Sequence, residues 1–266
     1  MGKPEKWMRC MAGLALCLVM SSVLARAQGK PPADCSKLPN HDTLRSALQA
    51  IIKEGKTANS GMGNQEWAVV VNRDGLVCAV VYSGPDRGAQ WPGSRLIAAE
   101  KANTANALSV DNFAISTANL WFASQPGESL YSLTTSAPPN AQAAFAGSPQ
   151  QFGENNDPFV GKPIGGIIVF GGGLPLYEHD GHIVGALGVS GDTSCADHVV
   201  AWKLRHNLKF DAIPTGPAPG GNDNIVLDVG GDGKSASGWG HPTCKGGQPP
   251  EDIVKQLPSK YPVGPK

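Results

Sequence analysis

Signatures of several common enzyme classes are missing from this sequence of 266 residues. It contains no GxSxG nucleophile elbow, no HExxH zinc motif and no GxxxxGK[ST] phosphate loop. No two cysteines stand at the CxxC spacing that is typical of structural metal sites. The sequence therefore gives little support to a serine hydrolase, a zinc protease, a phosphate-loop enzyme or a cysteine-rich metal site.

The sequence also lacks an excess of charge of either sign. The chain has 22 Lys and Arg against 22 Asp and Glu, and charged residues make up only 17% of it. Residues 1–27 hold four of the basic side chains and one acidic one, so 18 basic and 21 acidic groups remain in residues 28–266. A chain without a basic stripe has nothing to hold a phosphate backbone, which argues against a nucleic-acid partner.

The first 27 residues have the features of an export signal. Lys3, Lys6 and Arg9 precede an apolar run over 11–24, which is too short to span a bilayer, and Ala25-Arg26-Ala27 fits a small-x-small cleavage site. We expect a signal peptide over 1–27, cleavage before Gln28, and a soluble periplasmic or secreted protein with no membrane span.

Four cysteines remain after such a cleavage: Cys35, Cys78, Cys195 and Cys244. An even number in an oxidising compartment predicts two disulfides. Three pairings are possible and stay open, with a preference for a bond from Cys244 to Cys195 or Cys35, because the C-terminal segment has little else to hold it.

The rest of the chain alternates between helical periodicity and β-rich runs joined by Asp-Gly turns. Sequential hairpins favour an α+β fold with helices packed on an antiparallel sheet. Residues 125–163 form a long connection, either a lid or an assembly arm. Residues 211–266, rich in Gly and Pro, are expected to form an extended C-terminal tail packed on the core. The predicted helices are 41–58, 94–108, 111–124 and 193–207, and the predicted strands are 67–72, 76–82, 164–170, 174–179, 182–190 and 225–229.

Two segments carry a family resemblance. Residues 98–105 resemble an A-x-x-K-A-x-T-A helix, and residues 171–191 resemble a GGxPI…DG…VGAIGVSG signature. Both are similar to the haem-binding proteins of the GlcG/HbpS type, also called the haem-degrading domain family. The resemblance covers about 40–207 and implies a profilin-like core within residues 28–210. It further implies homo-oligomers, and haem or tetrapyrrole binding in some members.

His179 and His182 are the first candidate ligands, because they flank Asp180-Gly181. If Asp180 and Gly181 form a two-residue turn, the imidazoles of His179 and His182 face each other across the hairpin with Cβ atoms about 5 Å apart. Such a pair can hold a metal ion or the iron of haem. The alternative is a solvated hairpin tip.

A second group of candidates lies between residues 84 and 120. Arg87 and Arg95 can pair with propionates or other carboxylates, and Trp91 can stack on a flat ligand, unless this loop is purely structural. Lys101 lies in the helix that resembles the family pattern and either faces a pocket or forms a salt bridge. Thr117 is either an oxygen ligand to haem iron or a helix-packing hydroxyl.

Together these features predict an exported protein that binds haem or another tetrapyrrole in storage, transport or sensing. Two alternatives stay open. One is an enzyme that acts on haem or a small oxidised metabolite, which the missing catalytic signatures disfavour. The other is a structural homo-oligomeric module without a ligand.

Overall fold

The computed structural model describes residues 34–264 of the chain, and the predicted signal peptide lies outside them. No helix in this part of the chain is long and apolar enough to cross a membrane. The helices and strands follow one another as α1 (His41–Ile52), α2 (Lys56–Asn59), β1 (Trp67–Asn72), β2 (Val77–Tyr82), α3 (Ser94–Leu108), α4 (Ala141–Ala144), β3 (Gly173–Tyr177), β4 (Ile183–Ser190), α5 (Ser194–Asn207) and α6 (Glu251–Lys260).

The four strands form one antiparallel sheet in the order β2-β1-β4-β3. The two hairpins therefore meet through β1 and β4, whose register runs from Trp67 opposite Ser190 to Asn72 opposite Gly185. This arrangement confirms the predicted α+β class, with helices packed on an antiparallel sheet.

Helices cover both faces of the sheet, which explains why its strands read as continuous apolar runs rather than as an alternation. On one face, α1, α5 and α6 pack over side chains such as Val70 and Leu187. On the other face, the alanines of α3 pack over Val69 and Val71. The approach of α3 is close enough to require glycine in β4, because a Cβ at Gly188 would overlap the carbonyl oxygen of Ala98.

The segment predicted as a helix over 111–124 is not an α-helix. It contains two short 3-10 turns, Thr117–Leu120 and Phe122–Ser124. Asp111 is the first residue of the predicted helix, and its carboxylate accepts a hydrogen bond from the backbone N–H of Ile183 in β4. The Asp111 carboxylate therefore binds a distant strand instead of the first backbone N–H groups of a helix.

The apolar segments 164–170 and 225–229 are not strands either. Gly165 and Gly166 have φ of +65° and +74°, which breaks an extended run. In the second segment, the backbone N–H of Ile225 binds the Nε2 atom of His198 instead of another strand. The tail also contains α6, with Pro258 inside it, whereas the Gly- and Pro-rich composition of 211–266 predicts an extended segment.

The C-terminal tail makes buried contacts with the core. Asp223 forms a bidentate ion pair with Arg205 of α5, in which the two guanidinium nitrogens lie 2.6 and 2.7 Å from the carboxylate oxygens. Both side chains are fully buried. The disulfides join Cys35 to Cys78 and Cys195 to Cys244. The second bond ties the tail to the beginning of α5, which is one of the pairings that the sequence left open.

Candidate functional site

The glycine segment Gly171–Gly173 brings two of the predicted residues, Lys101 and Thr117, together. A Cβ at Gly172 would lie 2.9 Å from the Nζ atom of Lys101, and one at Gly173 would lie 2.5 Å from the Lys101 carbonyl oxygen and overlap the Thr117 methyl group. Glycine is therefore needed here so that the chain can pass against α3 and the 3-10 turn that holds Thr117.

The ammonium group of Lys101 is completely buried and bound within the protein. Its Nζ atom lies 2.6 Å from Oδ2 of Asp197 and donates a hydrogen bond of 3.0 Å to the carbonyl oxygen of Val189. The Oδ1 atom of Asp197 accepts the backbone N–H groups of Gly191 and Asp192. The site around Lys101 is thus a closed polar network between α3, α5 and the end of β4.

A buried carboxyl group lies beside this network. Glu66 is 2% exposed, and its Oε2 atom has no hydrogen-bond partner among the described residues. Burial, together with the charges of Asp197 and Asp192, raises the pKa of Glu66 well above its usual value. Burial also raises the pKa of Asp197 to about 6, although Lys101 opposes this effect. This environment therefore favours the neutral, protonated form of Glu66.

The hydroxyl group of Thr117 is also engaged inside the protein. It donates to the carbonyl oxygen of Phe170 at 2.7 Å and accepts from the backbone N–H of Gly173 at 2.9 Å. The guanidinium group of Arg95 binds both carboxylate oxygens of Asp157 and stacks on the ring of Phe152. Neither polar group faces solvent.

Arg87 and Trp91 differ from these residues because they are exposed. They lie in the loop between β2 and α3, and half of the Trp91 surface is accessible. The backbone of this loop is held in place, since the indole N–H of Trp67 donates to the Trp91 carbonyl oxygen at 3.1 Å. The loop therefore presents a cation and a flat aromatic ring on a fixed base.

The two predicted histidines lie at the exposed end of the β3–β4 hairpin, but not as a cross-strand pair. The turn is Glu178–Gly181, closed by the Gly181 N–H on the Glu178 carbonyl oxygen at 2.9 Å, and His179 is one of its central residues. His182 therefore lies opposite Glu178, whose N–H it accepts at 3.0 Å. A register shift beside Tyr177 moves the turn by one residue from its predicted place.

His182 has a carboxylate partner that the sequence reading missed. Its Nδ1 atom lies 3.1 Å from Oδ2 of Asp111, and both side chains are more than half exposed. This hydrogen bond raises the pKa of His182, and the backbone N–H of Ile183 lowers the pKa of Asp111. Lys37 reaches the same turn through Glu178, at 2.8 Å.

A carboxylate at Nδ1 is the arrangement that metal-binding histidines use. The partner fixes the tautomer and the ring orientation, so that Nε2 is the atom left for a metal. No partner for Nε2 of His182 is found among residues 34–264. Three exposed groups therefore lie at the hairpin end. They are the Nε2 atom of His182, the imidazole of His179 and the ammonium group of Lys37.

Further polar groups collect around the start of α5. The cluster at this place consists of Ser194, Cys195, His241 and Cys244. His198 is buried one helical turn further along α5. Burial lowers the pKa of His198 to about 3 and that of His241 to about 4, so both imidazoles are neutral at pH 7. The spacing His241-x-x-Cys244 is the one local signal of this cluster in the sequence.

Comparisons with known proteins give a family match and similar solved structures. Residues 40–204 match the family described as "Haem degrading protein HbpS-like". The crystal structure of Klebsiella pneumoniae protein ORFY, from family DUF336, is 23% identical over 61% of this chain and 85% of that one, with a TM-score of 0.40. The crystal structure of a PduOC–haem complex is 22% identical over 60% and 88%, also with a TM-score of 0.40. A search of curated proteins gives no match.

Proposed function

The chain belongs to the HbpS-like haem-degrading protein family, and from this premise we propose that it binds haem at the exposed end of the β3–β4 hairpin. The family match supports haem or a related tetrapyrrole as the ligand. The PduOC structure is a haem complex of another protein, and it is consistent with the same class of ligand. The location of the proposed site is argued from the side chains of this chain alone.

Among residues 34–264, the exposed side chains at the hairpin end fit haem better than the buried candidates do. Inside the protein, Lys101, Thr117 and Arg95 are buried and bound to other residues. A cavity between α1 and Ser83–Pro85 measures about 220 Å³, whereas pockets for ligands of this kind start at about 300 Å³. An exposed site needs no such cavity, because the edge of haem can lie against the hairpin.

The observation that carries the proposal is the Asp111–His182 pair. A carboxylate on Nδ1 increases the basicity of the imidazole and directs its Nε2 atom to a metal. We assign iron ligation to His182, with His179 as the neighbouring second imidazole. Haem bound there would supply a redox-active iron centre.

Charged and aromatic groups on the surface serve the rest of the ligand. Lys37 lies at the hairpin end and is 60% exposed, and a propionate would compete with Glu178 for its ammonium group. Arg87 and Trp91 are the other exposed candidates for propionate pairing and ring stacking. Arg95, Lys101 and Thr117 act from within, by fixing α3 and the glycine segment, rather than by touching the ligand.

The biological setting belongs to the same proposal. The apolar N-terminal segment and the two disulfides support export and a role in haem storage, transport or sensing. Tyr131 and Phe145 in the long connection are each 62% exposed, which supports an assembly arm in a homo-oligomer rather than a lid. Haem degradation is the second candidate, favoured by the description of the family.

A hemin titration of residues 28–266 tests the proposal. The intact protein is expected to give a saturable shift of the haem absorbance band, and light scattering on the same samples gives the number of chains per haem. His182→Ala should weaken binding at least about tenfold, because losing a ligand costs no less than losing its supporting partner. His41→Gln, which removes a histidine from α1, is the matched control and should bind as the intact protein does.

Two further results complete the experiment. A His179→Ala/His182→Ala protein with unchanged affinity and spectrum would remove the hairpin end from the site. To test degradation, oxygen and an electron donor such as ascorbate are added to the haem complex. Loss of the haem band with release of iron supports an enzyme, and a stable band supports a binder.

A further inference from the structure

We propose that reduction of the Cys195–Cys244 disulfide converts the start of α5 into a zinc site made by Cys195, Cys244 and His241. The inference goes beyond haem binding, because it concerns other residues and another ligand. Its test uses the metal alone, so it stands or falls independently of the hemin titration.

The three side chains are already gathered. The Sγ atoms of Cys195 and Cys244 and a ring nitrogen of His241 all lie within 4.8 Å of one another, and no other group of three potential ligands is found among residues 34–264. The Oγ atom of Ser194 lies between them, 3.1 Å from Nε2 of His241 and 3.3 Å from Sγ of Cys244. Two sulfurs, one imidazole and one hydroxyl or water make a four-coordinate zinc set.

His241 is held in the form that a metal needs. Its Nδ1 atom lies 2.7 Å from the carbonyl oxygen of Pro242, which can only accept a hydrogen bond, so Nδ1 carries the proton. Nε2 is therefore the basic nitrogen, and it accepts the Ser194 hydroxyl inside the cluster. The ring is 3% exposed and its backbone N–H binds the Val226 carbonyl oxygen at 2.7 Å, so the imidazole has a fixed position.

Cys244 is the accessible end of the disulfide. It is half-buried, and its neighbours Thr243 and Lys245 are exposed, whereas Cys195 is completely buried. The backbone N–H of Cys195, in the first turn of α5, donates to Sγ of Cys244 at 3.1 Å. This contact holds the Cys244 sulfur against the first turn of α5.

A dithiol is the reductant that we propose for the Cys195–Cys244 disulfide. Its thiolate attacks a sulfur of the disulfide, two electrons pass from the dithiol to the protein, and the reductant leaves as a cyclic disulfide while two protein thiols form. Zn²⁺ then replaces the two thiol protons, which go to solvent. A zinc–sulfur bond of about 2.3 Å in tetrahedral geometry places the two sulfurs roughly 3.8 Å apart. The tail must therefore move by less than 2 Å, roughly, from the disulfide position.

No third metal ligand accompanies the cysteine pair Cys35–Cys78 among the described residues, so this pair serves as the control in the Cys195→Ser/Cys244→Ser protein. The experiment uses Cys35→Ser/Cys78→Ser in residues 28–266, so that only one disulfide can be reduced. The protein is reduced with a water-soluble phosphine under anaerobic conditions, freed of reductant, and titrated with Co²⁺ and then Zn²⁺. Cobalt in a tetrahedral thiolate site gives intense visible bands and a sulfur-to-cobalt charge-transfer band.

The reduced protein is expected to bind one Co²⁺ with these bands and to exchange it for Zn²⁺, and the oxidised protein is expected to show neither. His241→Gln should weaken binding at least about tenfold. The control His206→Gln, in the same helix as Cys195 but outside the cluster, should not. Zinc should also protect two thiols of the reduced protein from alkylation, as counted by mass spectrometry.

Three results would overturn the proposal. They are the absence of a charge-transfer band in the reduced protein, the same band in Cys195→Ser/Cys244→Ser, and equal affinity in His241→Gln. Circular dichroism of each oxidised variant shows that the fold is present before reduction.

Discussion

Replacing Lys101 by methionine tests whether this residue stabilises the protein from within or belongs to the ligand site. Lys101 and Asp197 form an ion pair with a distance of 2.6 Å, and their side chains are 0% and 1% exposed. Methionine preserves the length of the side chain and removes the charge. The carboxylate of Asp197 then stays buried with the N–H groups of Gly191 and Asp192 but without a cation.

The size of the effect follows from that geometry. Removing one partner of a buried pair costs about 3–5 kcal/mol, because the remaining charge is left without compensation. That is a large share of the roughly 5–15 kcal/mol that stabilises a typical domain. With a urea dependence near 3 kcal/mol per molar, the midpoint of Lys101→Met should fall by about 1–2 M.

Urea unfolding followed by tryptophan fluorescence measures this shift. Lys234→Met is the matched control, since Lys234 is 69% exposed and pairs with Glu128 at 3.3 Å, and exposed pairs contribute about 0–1 kcal/mol. The double variant Lys101→Met/Asp197→Asn should lose much less than the sum of the two single variants.

Additive losses, or a loss below about 1 kcal/mol for Lys101→Met, would refute the buried pair as a stabilising unit. The hemin titration adds a second readout. If Lys101 acts only from within, the folded Lys101→Met protein binds hemin with the affinity of the intact chain.

Three other predictions concern particular residues. Gly188→Ala adds a Cβ that overlaps the backbone of α3 and should lower Tm by about 2–12 °C in calorimetry, whereas Gly231→Ala, with open space around it, should change it little. Asp111→Asn should lower the pKa of His182 measured by NMR, and an unchanged pKa would mean that the two side chains do not pair in solution. Burial lowers the pKa of His198 from 6.5 to about 3. The neutral ring therefore contributes stability above pH 6.5 that is lost as the pH falls toward 3, by up to about 1.4 kcal/mol per pH unit. Urea unfolding of His198→Gln should show a smaller loss over this range, and an equal loss would contradict a buried neutral ring.

Local signals predicted the parts of the fold that depend on neighbouring residues. The Asp-Gly turn at Asp74-Gly75 and its flanking strands are in place, and α3 spans the predicted 94–108. Thr193 caps α5 by accepting the backbone N–H of Ala196, which is a common role for threonine at a helix start. Each of these features needs only a few adjacent residues to form.

The predictions that failed involve contacts between distant residues. The helix expected to begin at Asp111 does not form, because that carboxylate binds Ile183 and His182, about 70 residues away in sequence. The hairpin turn differs from its predicted position because of one register shift beside Tyr177. A period of two residues shows which runs can be strands, but a shift of one residue within a pair leaves no such signal.

The same division holds for the candidate sites. The sequence by itself determined the α+β class, the antiparallel hairpins, the family resemblance and the four cysteines available for two disulfides, because these depend on composition, periodicity and adjacent residues. Only the tertiary structure decided which cysteines pair, that Lys101 and Asp197 neutralise each other, and that Asp111 and His182 meet at the hairpin end. It also decided that Cys195 joins His241 and Cys244. The reason is physical: each of these contacts joins segments that are far apart in the chain, and only the packing of the helices and the tail around the sheet brings them within bonding distance.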